Sequence, residues 1–445
     1  MMKKILLKFL ILLTLLGILS CGDFLEVKPK GVVLPEKLTD FESMLNSFTM
    51  TQSFPSALLY CTDDYYGTYS AKDKSVNANL YFWREEKDIN DQVSPVIWGQ
   101  LYRIIYDANV IINNVMSATG SNDQKKKEVL GEALLARADA YFTLLTVYAK
   151  SYNINTKNTD LGLPWVTTTN VTDKVPPRAL IQDNIDSIVN NTLRAIDCLP
   201  LNNVNRYRAT KGAAKGFLSR VYLYIADYTN AEKYALETMA VAHKLTDYNT
   251  ITSSDDLPIA DLDPEILWQR GSEDRNVPVF MLYSDELKTY FDENDLRYSI
   301  LTISNNKGIN RGGAYGEANF GITFPEVYLT LAELAARSNR TAAAMEYLNI
   351  IRKVRIKASA YQPATSLNKD DALKLVLAER RRELAFGATR WMDMKRLDRD
   401  GLMKDVKRIN RENSELQETL TPQSNRYTFQ IPTRVRKFNP NMQVN

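Results

Sequence analysis

The chain has 445 residues, of which 44% are hydrophobic, and it contains 56 basic residues against 53 acidic ones. The first twenty residues hold three lysines and no acid, so the remaining chain is formally neutral, which argues against a nucleic-acid-binding protein. The single histidine, His243, excludes histidine-rich metal sites and the HExxH metalloproteases.

The N-terminus has the pattern of a bacterial lipoprotein signal peptide. Lys3, Lys4 and Lys8 precede an apolar run over 9–19 that is too short to span a bilayer. The residues Ile18-Leu19-Ser20 stand directly before Cys21. We therefore predict that residues 1–20 are removed and that Cys21 is acylated, which tethers residues 21–445 to a membrane by lipid. A plain secretory signal with an unrelated cysteine is the alternative.

Helical periodicity begins after Ser94 and Pro95, which are a favourable N-cap and first helical residue. Apolar residues recur at helical spacing over about 94–150, over about 180–243, where Thr210 is a candidate N-cap, and over about 323–400. Short polar links divide these ranges, which is typical of antiparallel helical hairpins. The locally basic stretch 380–399 predicts a solvated or ion-paired helix face.

The other stretches, about 28–93, 151–178 and 245–322, are rich in Asn, Asp, Thr, Gly, Pro and aromatic residues and show no sustained period. Loops of this length tend to be functional, so we expect the ligand-binding surface there. About 425 residues also exceed what one compact core holds, which predicts two lobes or an extended array.

These features predict an all-α fold in which tetratricopeptide-like helical hairpins support an irregular, loop-rich ligand-binding lobe with few short strands. Stacked repeats bury each unit's apolar face against its neighbours, and small residues suit such contacts. Candidates for these positions are Ala213, Ala214, Ala332 and Ala335. All-α packing without true repeats fits the periodicity nearly as well.

Motifs for cofactor chemistry are missing from the sequence. It contains no CxxC, no GxxxxGK[ST] and no GxSxG, so we expect no cofactor and no metal, and we expect His243 to be structural. Cys61 and Cys198 could form a disulfide, but nothing in the sequence requires one. A glycosidase needs only two carboxylates, so that chemistry stays open.

Aromatic residues give a positive signal, because the chain has 24 tyrosines and many fall in the irregular stretches. Exposed Trp and Tyr rings stack on the apolar faces of sugar rings, while Asp and Asn side chains bind the hydroxyls. The predicted ligand-binding residues are Asp64, Tyr65, Tyr66, Tyr69, Asn79, Tyr81, Trp83 and Trp268. The alternative for each of them is that it fastens a loop to the helical body.

Six stretches occur in a distinctive order along the chain. They are CGDFLEVKP (21–29), WGQLYRIIYDANVII (98–112), GEALLARADAYFTLLTVYA (131–149), RATKGAAKGFLSRVYLY (208–224), ERRRELAFGATRWMDMKR (379–396) and FQIPTRVRKFNPNMQVN (429–445). Taken together, this set resembles the SusD/RagB-like outer-membrane lipoproteins of Bacteroidota.

The resemblance implies a lipid-anchored protein on the outer cell surface that performs no catalysis. It implies binding of oligosaccharides or, in some branches of the family, peptides, and action as a lid on a SusC-like TonB-dependent transporter barrel. It also implies ligand contacts from the segment before the first hairpin and from the late insertion, which makes Trp83 the leading candidate. A helical-repeat scaffold lipoprotein for protein partners and a lipid-anchored all-α glycoside hydrolase are the alternatives.

Overall fold

The computed structural model describes residues 35–84, 95–120, 122–274, 280–302 and 318–445. The predicted signal peptide and the predicted acylation site Cys21 lie outside these residues. Within them the chain is mostly helical, with short two-stranded sheets between the helices, which confirms the predicted all-α class.

The α-helices of the described residues fall into a short N-terminal group, a long central series and a C-terminal group. They are α1 (Leu38–Leu45), α2 (Phe48–Thr51), α3 (Val76–Tyr81), α4 (Val96–Asn114), α5 (Asp123–Tyr148), α6 (Ile181–Cys198), α7 (Lys211–Tyr224), α8 (Tyr228–Met239), α9 (Asp285–Lys288), α10 (Leu296–Leu301), α11 (Phe324–Arg337), α12 (Thr341–Arg355), α13 (Lys369–Glu383), α14 (Arg390–Arg399) and α15 (Thr433–Phe438).

The strands of the described residues form four antiparallel pairs. The pairs are β1 (Tyr65–Tyr66) with β5 (Leu282–Tyr283), β2 (Leu161–Pro164) with β3 (Arg178–Leu180), β4 (Ile266–Trp268) with β6 (Ile322–Thr323), and β7 (Val406–Ile409) with β8 (Leu416–Leu420). In the first pair Tyr65 lies opposite Tyr283, so this pair joins the segment before the first hairpin to the late insertion.

Helices α4 to α8 and α11 to α13 pack in sequence, each against the next, and together with α14 they form what we call the helical body. The predicted small residues lie at its buried contacts: Ala213, Ala214, Ala332 and Ala335 are all fully buried. The predicted N-cap of α7 is also present, because the Thr210 side chain accepts a hydrogen bond from the backbone of Ala213.

One helix is shorter than its pattern predicts, since α8 ends at Met239 although apolar residues continue to position 243. The ring of His243 stacks on Phe324 at 4.1 Å between centroids, and its Nε2 lies 3.0 Å from the Tyr328 hydroxyl. These contacts place His243 after the helix rather than inside it. The residue is nevertheless structural, as expected.

The basic stretch around α13 and α14 is buried in ion pairs rather than solvated. Arg380 donates to Asp393 at 2.8 Å, and Arg396 donates to both oxygens of Glu333 at 2.6 and 2.8 Å. The guanidiniums therefore tie α11, α13 and α14 together. Cys61 is buried and Cys198 half-buried, and the two do not form a disulfide with each other.

Segments with little regular structure gather beside the helical body, and we call residues 54–84, 280–302 and 402–420 the lobe. The β1–β5 pair links the first two of these segments. The β7–β8 hairpin supplies the third, which supports the other two through arginine side chains.

Candidate functional site

Two adjacent buried carboxylates attach the lobe to the helical body. Asp63 accepts two hydrogen bonds of 2.6 Å from Arg390 and lies 3.1 Å from Arg381. Asp64 accepts from the backbone of Phe386 at 3.2 Å and from Arg381 at 3.3 Å. Burial opposes ionisation of both acids, yet the two guanidiniums hold the pKa of Asp63 well below its usual range. Burial and the Asp63 charge raise the pKa of Asp64. Asp64 was predicted to contact ligand, but its hydrogen bonds show that it attaches the lobe to the body.

Arg408 of β7 organises the backbone of the lobe. Arg408 is 2% exposed, and its guanidinium donates to main-chain oxygens. The acceptors are the carbonyls of Tyr60 (3.2 Å), Thr62 (3.0 Å), Tyr65 (2.9 Å) and Tyr81 (3.0 Å). A single side chain therefore donates to four carbonyls at separate positions of the lobe backbone.

Trp83 and Tyr81 enclose the Arg408 guanidinium, which lies 4.3 and 4.0 Å from their ring centroids. The Trp83 indole donates to the Cys61 carbonyl at 2.8 Å, so the ring points inward. The Trp83 backbone has φ = 51°. The two residues are 2% and 1% exposed. The structure corrects the expectation that these rings are exposed, because an enclosed ring offers no face to a sugar.

Three half-buried tyrosines, Tyr60, Tyr65 and Tyr69, lie beside the enclosed ring of Tyr81, and we call them the tyrosine patch. Tyr60 meets Tyr65 edge to face at 5.3 Å between centroids and meets Tyr69 at 6.4 Å. Tyr65 and Tyr69 both rest on Tyr81, at 5.6 and 5.5 Å. Tyr65, Tyr69 and Tyr81 were predicted site residues, and the structure brings these three together.

The hydroxyls of the tyrosine patch form a local hydrogen-bonding group. Tyr69 lies within hydrogen-bonding reach of Tyr60 and Tyr65 and of the Asn77 side chain. Burial, followed by the nearby Tyr69 and Asp274, raises the pKa of Tyr60 to about 12. The pKa values of Tyr65 and Tyr69 are also raised, mainly by burial. All three phenols therefore stay neutral at physiological pH and can both donate and accept.

The rim beside the patch is held in place by Arg84. Its guanidinium donates to the carbonyls of Ala71 at 2.7 Å and Asp73 at 3.0 Å, and it lies 4.4 Å from the Phe82 ring centroid. The turn that carries Asp73 and leads into α3 is therefore fixed against the patch. The result is a preformed surface of phenol rings with amide and carboxylate groups at its edge.

The other predicted residues serve other parts of the molecule. Asn79 is buried and donates to the Lys74 carbonyl at 3.1 Å, which closes the start of α3. Trp268 is 1% exposed, donates to the Tyr207 carbonyl at 3.2 Å and lies 4.0 Å beneath the Arg270 guanidinium. The expectation of an exposed side chain is corrected for both. Trp268 fastens the loop that carries Tyr207, which was the stated alternative, whereas Asn79 acts within the lobe.

Tyr66 follows Tyr65 in β1, so its side chain lies on the opposite face of the strand from the tyrosine patch. The Arg411 guanidinium lies 3.7 Å from its ring centroid, and the Arg411 backbone donates to its hydroxyl at 3.1 Å. Tyr66 is half-buried, so one part of the ring stays open to solvent. Its contact with ligand remains a prediction, as do those of Tyr65 and Tyr69.

Tyr60 was missed by sequence reasoning, although it directly precedes the aromatic stretch that begins at Cys61. A single 3₁₀ segment, Ser56–Cys61, places it beside Tyr65 and Tyr69. Its closeness in sequence to the predicted residues Tyr65 and Tyr69 was the signal available. Arg408 and Arg411 gave no comparable signal, because they come from the far end of the chain.

Two general properties of the described part of the chain bear on function. Its His, Cys, Asp and Glu side chains include no group of three or more that could hold a metal ion. None of the helices within the described ranges is both long and apolar enough to cross a membrane.

Comparisons with known proteins agree over residues 23–445. The family model described as "Starch-binding associating with outer membrane" matches residues 23–223, and the SusD family model matches residues 215–445. The chain is 25% identical over 255 residues to SusD-like protein P38 of Formosa agariphila, covering 55% of this chain and 47% of that relative. It is 24% identical over 478 residues to SusD-like protein P2 of the same organism, covering 89% of this chain and 91% of the relative.

The fold is shared with solved structures of the same superfamily. A SusD-like carbohydrate binding protein from Bacteroides vulgatus superposes with a TM-score of 0.71 at 18% identity, over 91% of this chain and 97% of that one. The SusD family model alone matches more than half of the sequence. The chain therefore belongs to the SusD family.

Proposed function

We propose that this protein is a non-catalytic, lipid-anchored protein of the outer cell surface that captures oligosaccharides on its tyrosine patch. We further propose that it acts as a lid that delivers them to a SusC-like TonB-dependent transporter barrel. The family description of starch binding at the outer membrane and the carbohydrate-binding structural relative support the ligand class. The observation that carries the proposal is a preformed, half-exposed patch of three tyrosines on a braced lobe.

The chemistry of the patch suits a sugar. A pyranose presents an apolar C–H face that packs on phenol rings and a rim of hydroxyls that needs both donors and acceptors. Neutral phenols supply both, and Asn77 lies within reach of Tyr69. Because Arg84, Arg408 and the ring contacts already fix these groups, little side-chain entropy is lost on binding.

Binding should be tested with residues 21–445 against a panel of soluble polysaccharides and their oligosaccharides. We expect Tyr60→Ala with Tyr69→Ala to weaken affinity for the bound glycan at least about tenfold, since each lost ring contact is worth about 1 kcal/mol. Tyr361→Ala is the matched control, because this half-buried tyrosine belongs to the loop after α12. Tyr81 and Trp83 are unsuitable targets, since their loss would damage the lobe itself.

Unchanged affinity in the double variant, with circular dichroism showing intact helices, would remove the patch as the glycan site. Binding of peptides in place of glycans would retain the capture role and change the ligand class. The same samples should be assayed for reducing ends. Their release would favour the hydrolase alternative, which two carboxylates alone could support.

The lid role needs a separate experiment in the native cells. The intact lipoprotein, isolated in mild detergent, should bring down a large outer-membrane β-barrel in near-equal amount. Protease treatment of intact cells should also remove the protein if it faces outward. Protection from protease together with periplasmic partners would favour the scaffold alternative.

A further inference from the structure

A cavity of about 360 Å³ lies beside α4, remote in sequence from the tyrosine patch. One wall is the face of α4, where Trp98, Tyr102 and Tyr106 recur every four residues and therefore share one side of the helix. The loop after β2 forms the second wall. Val435 and Met442 from the C-terminal segment close the third. This volume lies in the range of small-molecule sites.

The walls of the cavity are fixed before any ligand arrives. The Trp98 and Tyr102 rings stack at 4.8 Å between centroids and 27° between planes, and the Tyr102 hydroxyl donates to the Pro164 carbonyl at 3.0 Å. Asn109 donates to the Val166 carbonyl at 3.0 Å while it accepts from Arg137 at 2.7 Å. Helix and loop are therefore joined at the middle of the aromatic row and just beyond its C-terminal end.

The rim loop is closed by its own side chains. Asp173 accepts from the Thr168 hydroxyl at 2.7 Å and from the Asn170 amide at 2.8 Å. The Asn170 side-chain oxygen in turn accepts from the Thr172 hydroxyl at 2.8 Å. These polar groups hold the loop in shape, and both carboxylate oxygens of Asp173 already have donors.

The lining is unsuited to a sugar ring. Besides the aromatic row, the lining includes apolar side chains such as Ile105, Val166 and Val435, and the amides at its edge are already hydrogen-bonded to the chain. Sugar hydroxyls buried there would lose their water without replacement, which costs free energy for each unpaired group. A ligand with an apolar ring meets no such penalty. A cavity of about 150 Å³ already accommodates benzene, so an aryl group has ample room.

One charged group at the mouth of the cavity is free. Lys174 lines it, is exposed, and has no acidic partner among the described residues. Tyr106, also at the mouth, is 42% exposed and presents its ring to solvent. An ammonium beside an aromatic wall is complementary to a ring that bears an anionic group.

We propose that this cavity binds an aromatic carboxylate, with the aryl ring against Trp98 and Tyr106 and the carboxylate at Lys174. The site is distinct from the tyrosine patch and does not depend on the glycan-binding role. The ring enters the apolar space, and the carboxylate stays at the mouth, where it keeps part of its hydration. Affinity therefore comes from apolar burial, with a smaller contribution from the charge.

The test is isothermal titration of residues 21–445 with cinnamate and with its uncharged amide as the matched ligand. The wild-type protein should bind the carboxylate more tightly than the amide. Tyr106→Ala should weaken both ligands at least about fivefold, since it removes one aromatic wall. Lys174→Gln should weaken the carboxylate about threefold to fivefold and leave the amide unchanged, as expected for a partly exposed ion pair.

Two matched variants separate this site from the rest of the molecule. Lys127→Gln removes an exposed lysine of α5 and should change neither affinity, and Tyr60→Ala with Tyr69→Ala should lower glycan binding only. Absence of binding by the wild-type protein, or binding unaffected by both Tyr106→Ala and Lys174→Gln, would overturn the proposal. Equal loss of carboxylate and amide affinity in Lys174→Gln would overturn the assignment of the charge.

Discussion

The helical body and the lobe are stabilised by different interactions. Helices of the body pair their own backbone groups and meet through small, fully buried side chains such as Ala213 and Ala332. The lobe has only a two-residue strand and a few turns of helix between positions 54 and 84. Its carbonyls are paired instead by guanidiniums, chiefly that of Arg408.

This difference shows how an irregular segment can hold a fixed surface. A guanidinium has five donors in a rigid plane, so one side chain can pair several carbonyls that diverge in direction. Burial lowers the pKa of Arg408, and the adjacent rings and carbonyls offset part of the cost of desolvation. The tyrosine patch can therefore be rigid although only Tyr65 of its three residues belongs to a strand.

The attachment between the two regions should be the most sensitive point. Asp63→Ala leaves Arg390 and Arg381 without their shared buried carboxylate, so we expect a loss of about 3–5 kcal/mol in the free energy of unfolding. Denaturant titration monitored by circular dichroism measures this loss. A change below about 1 kcal/mol would show that the lobe is held to the body mainly by apolar contacts.

A buried carboxylate of the body, Glu379, should give a pH-dependent effect. Burial would raise its pKa, but Arg297, Arg382 and Arg352 lower it to about 2. The folded-state pKa thus lies below the unfolded value of 4.5, and the unfolded chain binds more protons between these values. This stabilisation, about 3 kcal/mol, is complete above pH 4.5 and is lost as the pH falls toward 2.

The variant Glu379→Gln keeps the shape of this side chain and removes its charge. It should destabilise the protein by about 3 kcal/mol at pH 7, and its difference from wild type should shrink as the pH falls from 4.5 to 2. Unfolding titrations at several pH values measure both free energies. A difference that stays constant with pH would mean that the carboxylate is not ionised in the folded protein.

Removal of Arg408 should act within the lobe only. Arg408→Met keeps most of the apolar stem but leaves four carbonyls without this donor, at a cost of about 2–3 kcal/mol. Amide hydrogen exchange should accelerate over residues 60–83 and stay unchanged in α5 and α11. Uniform acceleration over both regions would contradict the separation of lobe and body.

The body could be predicted from the sequence because each helix carries its own signal. Thr210 caps α7 as expected, and the apolar period of α4 and α5 is local. Local patterns also reveal the aromatic row of α4, since its three rings recur every four residues. The loop and C-terminal residues that turn this row into a cavity wall are distant in sequence and gave no sign of it.

The lobe could be predicted only as a location. Composition indicates many aromatic residues between positions 60 and 83, but a ring's exposure depends on what packs against it. Trp83 and Tyr81 are buried because Arg408 arrives from more than 300 residues away, whereas Tyr69 is left half-open. A one-dimensional pattern carries no information about such a contact.

The smallest expected effects come from one arginine of each region, half-buried Arg411 of the lobe and exposed Arg340 of the body. Arg411→Ala removes a guanidinium above Tyr66 and its ion pair with Asp285, and it should cost about 1 kcal/mol. Arg340→Ala removes the surface pair with Glu232 on the body and should cost less than about 0.5 kcal/mol. The lobe residue should matter more because its guanidinium also donates to the Tyr283 carbonyl at 2.8 Å. Equal effects in parallel denaturant titrations would show that arginine contacts at the lobe's edge have no special weight, and that Arg408 and the Asp63 attachment alone fix the position of the tyrosine patch.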